Sequence, residues 1–214
     1  MTVDPLARRL PEGVSLKGVV YDEAHASTWR EWLSTAEADC LASFGSESRR
    51  REFLAGRAVA RSMLAERMGR APASVPLRRA ADEGVDVIDS DWRVSIAHSG
   101  GRAIAGVARQ PVGVDLEEIQ PRDPDVARFL LHPDERELLE TLPYSSNEAL
   151  ILCWCLKEAV LKARRTGFRT SPKELRLRID AERGRAHGAI QSDAWRLWFE
   201  RLEGFWAVVA LSAS

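Results

Sequence analysis

One arrangement of residues occurs twice in this chain, and it limits the folds open to it more than any other feature. Residues 52–68 place Phe53, Leu54, Ala58, Val59, Met63, Leu64 and Met68 at amphipathic helical spacing and stop at Gly69, and residues 148–165 form a second helical pattern stopped near Gly167. A Ser/Pro-marked turn follows each, at Ser74 to Pro76 and at Ser171-Pro172. Trp92, Arg93 and Gly101 then recur as Trp195, Arg196 and Gly204, each 103 positions on. The glycines sit between strand-like runs, 93–97 with 103–108 and 196–201 with 205–211, the pattern of a β-hairpin. A repeated helix-then-strands order predicts an α+β fold of two pseudosymmetric subdomains, each a long helix packed on a small antiparallel sheet. The halves are residues 1–109 and 110–214. A site is expected at the interface, because Asp115 and Glu117 open the second half near the seam and His98 closes the first.

Composition narrows the class. The 214 residues are 45% hydrophobic and 29% charged, enough for a buried core in one large or two small domains. Lys plus Arg number 31 against 32 Asp plus Glu, so overall charge recommends neither nucleic acid nor an anionic membrane as partner. The longest apolar runs are too short to span a bilayer, and the N-terminus lacks the apolar stretch of a secretory signal, so a cytoplasmic location is expected. Three cysteines, two of them at Cys153 and Cys155 in a helical pattern, make neither a disulfide framework nor a CxxC knuckle and read as small buried hydrophobes.

The chemistry-bearing residues lie on both sides of the seam. In the second helix Trp154, Glu158 and Lys162 stand at i, i+4 and i+8 and share a face, while Asp115 and Glu117 point to one side of a strand. A Glu and a Lys four apart are ordinarily a solvated pair. Here the apolar run 150–156 precedes them and an apolar strand precedes Asp115, so buried carboxylates are expected, and a divalent cation is the commonest reason for those. In the first half His98-Ser99-Gly100-Gly101 offers an imidazole, a hydroxyl and pliant backbone amides to a phosphate, although a lone histidine is more often structural. Arg57 and Arg61 share a helix face with no acid at i−4, and with Arg78 and Arg79 give this half a basic aspect suited to an anion.

These segments together, Ala55-Gly56-Arg57 with Arg61, Ser95-Ile96-Ala97-His98-Ser99, Val112-Gly113-Val114-Asp115-Leu116-Glu117 and Trp154-x-x-Lys157-Glu158-x-x-x-Lys162, resemble the Sfp-type 4′-phosphopantetheinyl transferases in order and spacing. The resemblance implies two pseudosymmetric α+β halves with the active site between them. The implied reaction is transfer of the phosphopantetheine arm of coenzyme A to a serine of an apo acyl or peptidyl carrier protein, with release of adenosine 3′,5′-bisphosphate. It implies Asp115, Glu117 and Glu158 as Mg²⁺ ligands, Glu158 as base and Lys162 at the departing phosphate. Lys157, Arg57, Arg61, Arg78, Arg79, His98 and Ser99 would take coenzyme A. Glu135 stands where the family often has another active-site acid, and also reads as a helix-start acid after Pro133. Phe129-Leu130-Leu131 reads as carrier-docking surface or as packing for its loop.

Two positions depart from the family pattern. A Gly-Lys-Pro element common ahead of the histidine motif has no lysine in the corresponding stretch 81–87, where Arg78 or Arg79 would substitute, and the common Ser-His-Ser is Ala97-His98-Ser99. A site built within one chain needs no second subunit, so a monomer is expected. The alternatives are a carrier-binding module without activity, and a metal-dependent phosphohydrolase using the same carboxylates.

Overall fold

The computed structural model describes residues 2–80, 84–166 and 169–213. The chain divides into two units, Met1–Arg109 and Gln110–Ser214.

In the first unit, helix α1 (Asp4–Ala7) and strand β1 (Ser15–Val20) lead to helices α2 (Glu23–Glu31), α3 (Thr35–Ser43) and α4 (Glu47–Met68). Strands β2 (Leu77–Arg79) and β3 (Val85–Val87) pair as a ribbon, and β4 (Arg93–Ser99) and β5 (Arg102–Ala108) follow. The main sheet is antiparallel in the order β1-β5-β4. The long helix α4 starts five residues before the amphipathic pattern because Ser46 caps it, its hydroxyl accepting from the Arg49 amide. It ends at Gly69, whose φ of 63° is the left-handed conformation the sequence pattern requires. Leu54, Ala58, Val59 and Leu64 pack it onto Val94, Ala103, Ala105 and Val107. At Gly56 the fit is so close that a Cβ would stand 2.8 Å from Ile96 Cγ2.

The second unit begins with β6 (Val112–Glu118) and the short helices α5 (Val126–Leu130) and α6 (Leu138–Thr141), followed by α7 (Ser146–Arg164). Strands β7 (Arg176–Asp180), β8 (Arg185–Ile190), β9 (Asp193–Leu202) and β10 (Phe205–Ser212) complete it. The sheet order is β6-β10-β9-β8-β7, antiparallel throughout. A reciprocal Ser145/Glu148 capping box starts α7, and Arg165 ends it with φ 60°. Gly167, the expected stop, lies outside the described residues. Cys153 and Cys155 are fully buried; burial pushes the Cys153 thiol up to about 12 and holds Cys155 well above its ordinary value, as suits small apolar fillers. Leu130 and Leu131 pack against Leu150 and Cys153, whereas Phe129 is 75% exposed. Among the described residues no helix is long and apolar enough to cross a membrane.

Each unit is a long helix on an antiparallel sheet, and each carries the hairpin the repeat predicts. In both hairpins the two turn residues have positive φ, Gly100 and Gly101 at 55° and 73° and Glu203 and Gly204 at 45° and 86°, the requirement of a two-residue turn that follows the strand twist. Helices α2 and α3 and strands β1, β7 and β8 have no counterpart in the predicted pattern.

Candidate active site

The carboxylate cluster is created by one missing side chain. Gly113 in β6 faces α7 so closely that a Cβ would lie 1.8 Å from the Ala159 carbonyl oxygen and 2.7 Å from the Ala163 nitrogen. Side chains alternate along a strand, so Asp115 and Glu117 lie on the face that Gly113 presents to the helix. They meet the residues that flank the contact: Lys162 Nζ donates to Asp115 Oδ1 at 2.6 Å, and the Trp154 indole hydrogen-bonds Glu117. The helix face of Trp154, Glu158 and Lys162 thus lies along the strand face of Asp115 and Glu117.

The electrostatics of this cluster are unbalanced. Asp115 is 4% exposed, and its Oδ2 is buried with no hydrogen-bond partner. Burial, and then Asp115, push Glu117 up to about 7 against the opposing pull of Arg122, Lys162 and Trp154. Burial and Asp115 likewise raise Glu158. Burial works against the Lys162 ammonium, but Asp115 and Glu158 outweigh it and hold Lys162 above its ordinary value. Glu117 also receives Arg122 Nη2 at 3.0 Å. Among the described residues no group of three His, Cys, Asp or Glu side chains is drawn close enough to hold a metal ion as it stands. The donor set nevertheless fits a hard cation: oxygen ligands only, one buried oxygen without a partner, and two neighbouring carboxyls whose ionisation is suppressed by burial and by Asp115.

Of the cations expected to take phosphate, Lys157 and Arg61 spend their donors inside the protein, and Arg57 is paired with a glutamate. Lys157 is fully buried, and its three N–H donors go to Glu135 Oε2 at 2.6 Å, Pro172 O at 3.0 Å and Leu175 O at 2.8 Å. An ammonium has three donors, so none is left for coenzyme A. Glu135 also accepts the amides of Leu177 and His132, which makes it a buried anchor rather than an acid facing substrate. Arg61, 1% exposed, donates to Pro72 O, Val75 O and Glu37 Oε2. Arg57 is 7% exposed, stands 3.0 Å from Glu37 Oε1 and lies over the Phe53 ring. Both arginines share Glu37, 24 residues from Arg61, so the absence of an acid at i−4 was a misleading signal.

The two clasps correspond part for part. In each unit a buried cation on the long helix meets a glutamate from a capping box, Ser34 with Glu37 and His132 with Glu135. The same cation then donates to the carbonyls that open and close a 3₁₀ turn, at Pro72 and Val75 or Pro172 and Leu175. The internal repeat therefore extends to buried polar chemistry. No local pattern announces it, because the partners come from separate elements.

His98, the penultimate residue of β4, has a half-exposed ring, and its Nδ1 lies 3.2 Å from Glu52 Oε2. Ser99 is half-buried at the turn, and Arg78 and Arg79 are exposed on β2, with Arg78 3.6 Å from Asp86. Ala81, Asp82 and Glu83, in the stretch that corresponds to the Gly-Lys-Pro element, lie outside the described residues.

Residues 111–209 match the family profile described as the 4′-phosphopantetheinyl transferase superfamily, and residues 37–108 match the 4′-phosphopantetheinyl transferase N-terminal domain. The chain is 31% identical over 154 residues to 4′-phosphopantetheinyl transferase HetI of Nostoc sp., covering 66% of this chain and 65% of the relative. It is 35% identical over 72 residues to 4′-phosphopantetheinyl transferase psf-1 of Bacillus pumilus, covering 33% and 31%. Enterobactin synthase component D of Escherichia coli O157:H7 is 38% identical over 71 residues, 32% of this chain and 34% of that one. The matches thus span less than two thirds of the length of these curated relatives. Among solved structures, the Thermotoga maritima holo-[acyl-carrier-protein] synthase aligns at 20% identity and a TM-score of 0.42, over 48% of this chain and 62% of that one. With the N-terminal profile matched in the first unit and the superfamily profile in the second, the chain belongs to the 4′-phosphopantetheinyl transferase superfamily.

Proposed function

We propose that the protein transfers the 4′-phosphopantetheine arm of coenzyme A to a serine hydroxyl of an apo acyl or peptidyl carrier protein in a Mg²⁺-dependent reaction. The observation that carries this reading is the contact at Gly113, which brings Asp115 beside Lys162 and within electrostatic reach of Glu158, with Glu117 on the same strand face, and leaves Asp115 Oδ2 buried without a partner. Asp115, Glu117 and Glu158 would hold Mg²⁺. Bound there, the ion supplies charge neutralisation at the pyrophosphate of coenzyme A.

The remaining work falls to the chain's own groups. The carboxyl of Glu158, raised by burial and by Asp115, takes the proton of the serine hydroxyl. The serine oxygen forms a bond to the β-phosphorus, and the bridging bond to the α-phosphate breaks. Lys162, kept protonated by Asp115 and Glu158, stabilises the departing adenosine 3′,5′-bisphosphate. His98, Ser99, Arg78 and Arg79 take the phosphates of the nucleotide, and the exposed Phe129 is offered to the carrier.

Mass spectrometry of apo carrier proteins incubated with coenzyme A and Mg²⁺ tests the reading directly. A gain of one phosphopantetheine, abolished by Glu158→Gln with the fold intact, is expected. No gain across a panel of fatty acid, polyketide and nonribosomal peptide carriers would sink it. Release of bisphosphate with no carrier present would point instead to a phosphohydrolase.

A further inference from the structure

Glu52 belongs to no expected site, yet its carboxylate reaches the two groups that define the β4–β5 turn. Oε2 lies 3.2 Å from His98 Nδ1, and Oε1 accepts the Gly101 amide at 3.3 Å. The side chain of Glu52 is only 17% exposed, and partial removal from water strengthens bonds to an ionised acceptor. The contact also joins two elements far apart in sequence, since Glu52 lies in α4 and the turn is 49 residues on.

We propose that Glu52 is a positioning residue for phosphate recognition by His98, an inference that rests on the transferase reading above. A histidine that donates through Nδ1 to Glu52 and through Nε2 to a phosphate must be the imidazolium, because the neutral ring carries one N–H only. Glu52 supplies the anion that balances this charge on one side, and the phosphate group supplies it on the other. The same carboxylate fixes the ring plane, while its second oxygen holds the turn amide, so His98 and the Gly100-Gly101 backbone face the ligand as one rigid group. Glu52 touches no substrate; it acts through His98 and the turn.

The variant Glu52→Gln separates charge from scaffold. Its amide oxygen still accepts from Gly101, while its NH₂ faces Nδ1 and forces that nitrogen to be the acceptor. Ring ¹⁵N spectra of the full chain are recorded with adenosine 3′,5′-bisphosphate as probe, beside transfer kinetics. In the wild type both His98 ring nitrogens are expected to be protonated in the complex. In Glu52→Gln, Nδ1 loses its proton and KM for coenzyme A rises roughly tenfold or more, with kcat little changed. Glu52→Asp, which restores the charge, recovers part of the KM. Unchanged His98 nitrogens and KM in Glu52→Gln, with an active wild type, would overturn the role of Glu52 alone. A wild type that modifies carriers while its His98 signals ignore the bisphosphate would overturn this inference and leave the transferase reading standing; a wild type that modifies no carrier would overturn that reading itself.

Discussion

Gly113→Ala adds one methyl group, and the structure sets its consequence. The new Cβ would stand 1.8 Å from the Ala159 carbonyl oxygen, where ordinary contact begins near 3.4 Å, so strand and helix must part by about 1.6 Å. The obstacle is backbone, with Ala163 N at 2.7 Å beside it, and no rotamer change relieves it. Overpacking a core costs about 1–3 kcal/mol where side chains can yield, so about 3 kcal/mol is expected here. At about 2–4 °C per kcal/mol for a chain of this size, the melting temperature should fall by roughly 6–12 °C. The functional loss should exceed the loss of stability. A parting of that size breaks the 2.6 Å bond between Lys162 and Asp115 and draws Asp115 away from Glu158. The assay pairs thermal unfolding with carrier modification at a temperature where the variant is fully folded. An alanine variant with a melting temperature within 2 °C of wild type and unchanged transfer would refute the claim that this contact assembles the cluster.

Lys157→Met should cost about 3–5 kcal/mol, because it strands a buried Glu135, and Lys157→Met with Glu135→Gln, which removes the charge and keeps an acceptor for the Leu177 amide, should recover part of that in urea unfolding. A phosphate-binding lysine would instead raise KM for coenzyme A at unchanged stability. Glu117 makes stability depend on pH: its carboxyl is raised from 4.5 to about 7, which corresponds to roughly 3 kcal/mol, so its contribution is present below about pH 4.5 and lost as pH rises through 7. Urea midpoints of metal-free protein should therefore fall between pH 5 and 8, added Mg²⁺ should restore them most at pH 8, and Glu117→Gln should flatten the difference. A Mg²⁺ effect as large at pH 5 as at pH 8 would contradict this assignment.

The parts of the fold that were legible in the sequence are those governed by local rules. Gly69 ends α4 because only a residue tolerant of positive φ suits that cap, and Gly100-Gly101 marks its hairpin for the same reason. That Asp115 and Glu117 share a strand face and that Glu158 and Lys162 share a helix face is legible from period, two on a strand and four on a helix. Gly113 was visible only as a letter of a motif; its meaning lies in the carbonyl opposite. The glutamate partners of Arg57, Arg61 and Lys157 are not legible, because charge on a helix face looks the same whether its partner is solvent, a ligand or a glutamate from another element. Glu52 escaped notice since a contact 49 residues away leaves no trace in local spacing.

The paired clasps bear on the order of events during synthesis. Glu37 and Arg61 are 24 residues apart and Glu135 and Lys157 are 22 apart, so each lock closes over a short length of chain. Every part of the first, through Val75, emerges 40 residues before Asp115, an interval of roughly 2–8 seconds at ordinary elongation rates. The clasp of Arg61 with Glu37 can thus close before any of the clustered carboxylates has emerged. The nascent chain never has to sort that cation from acids meant for another purpose.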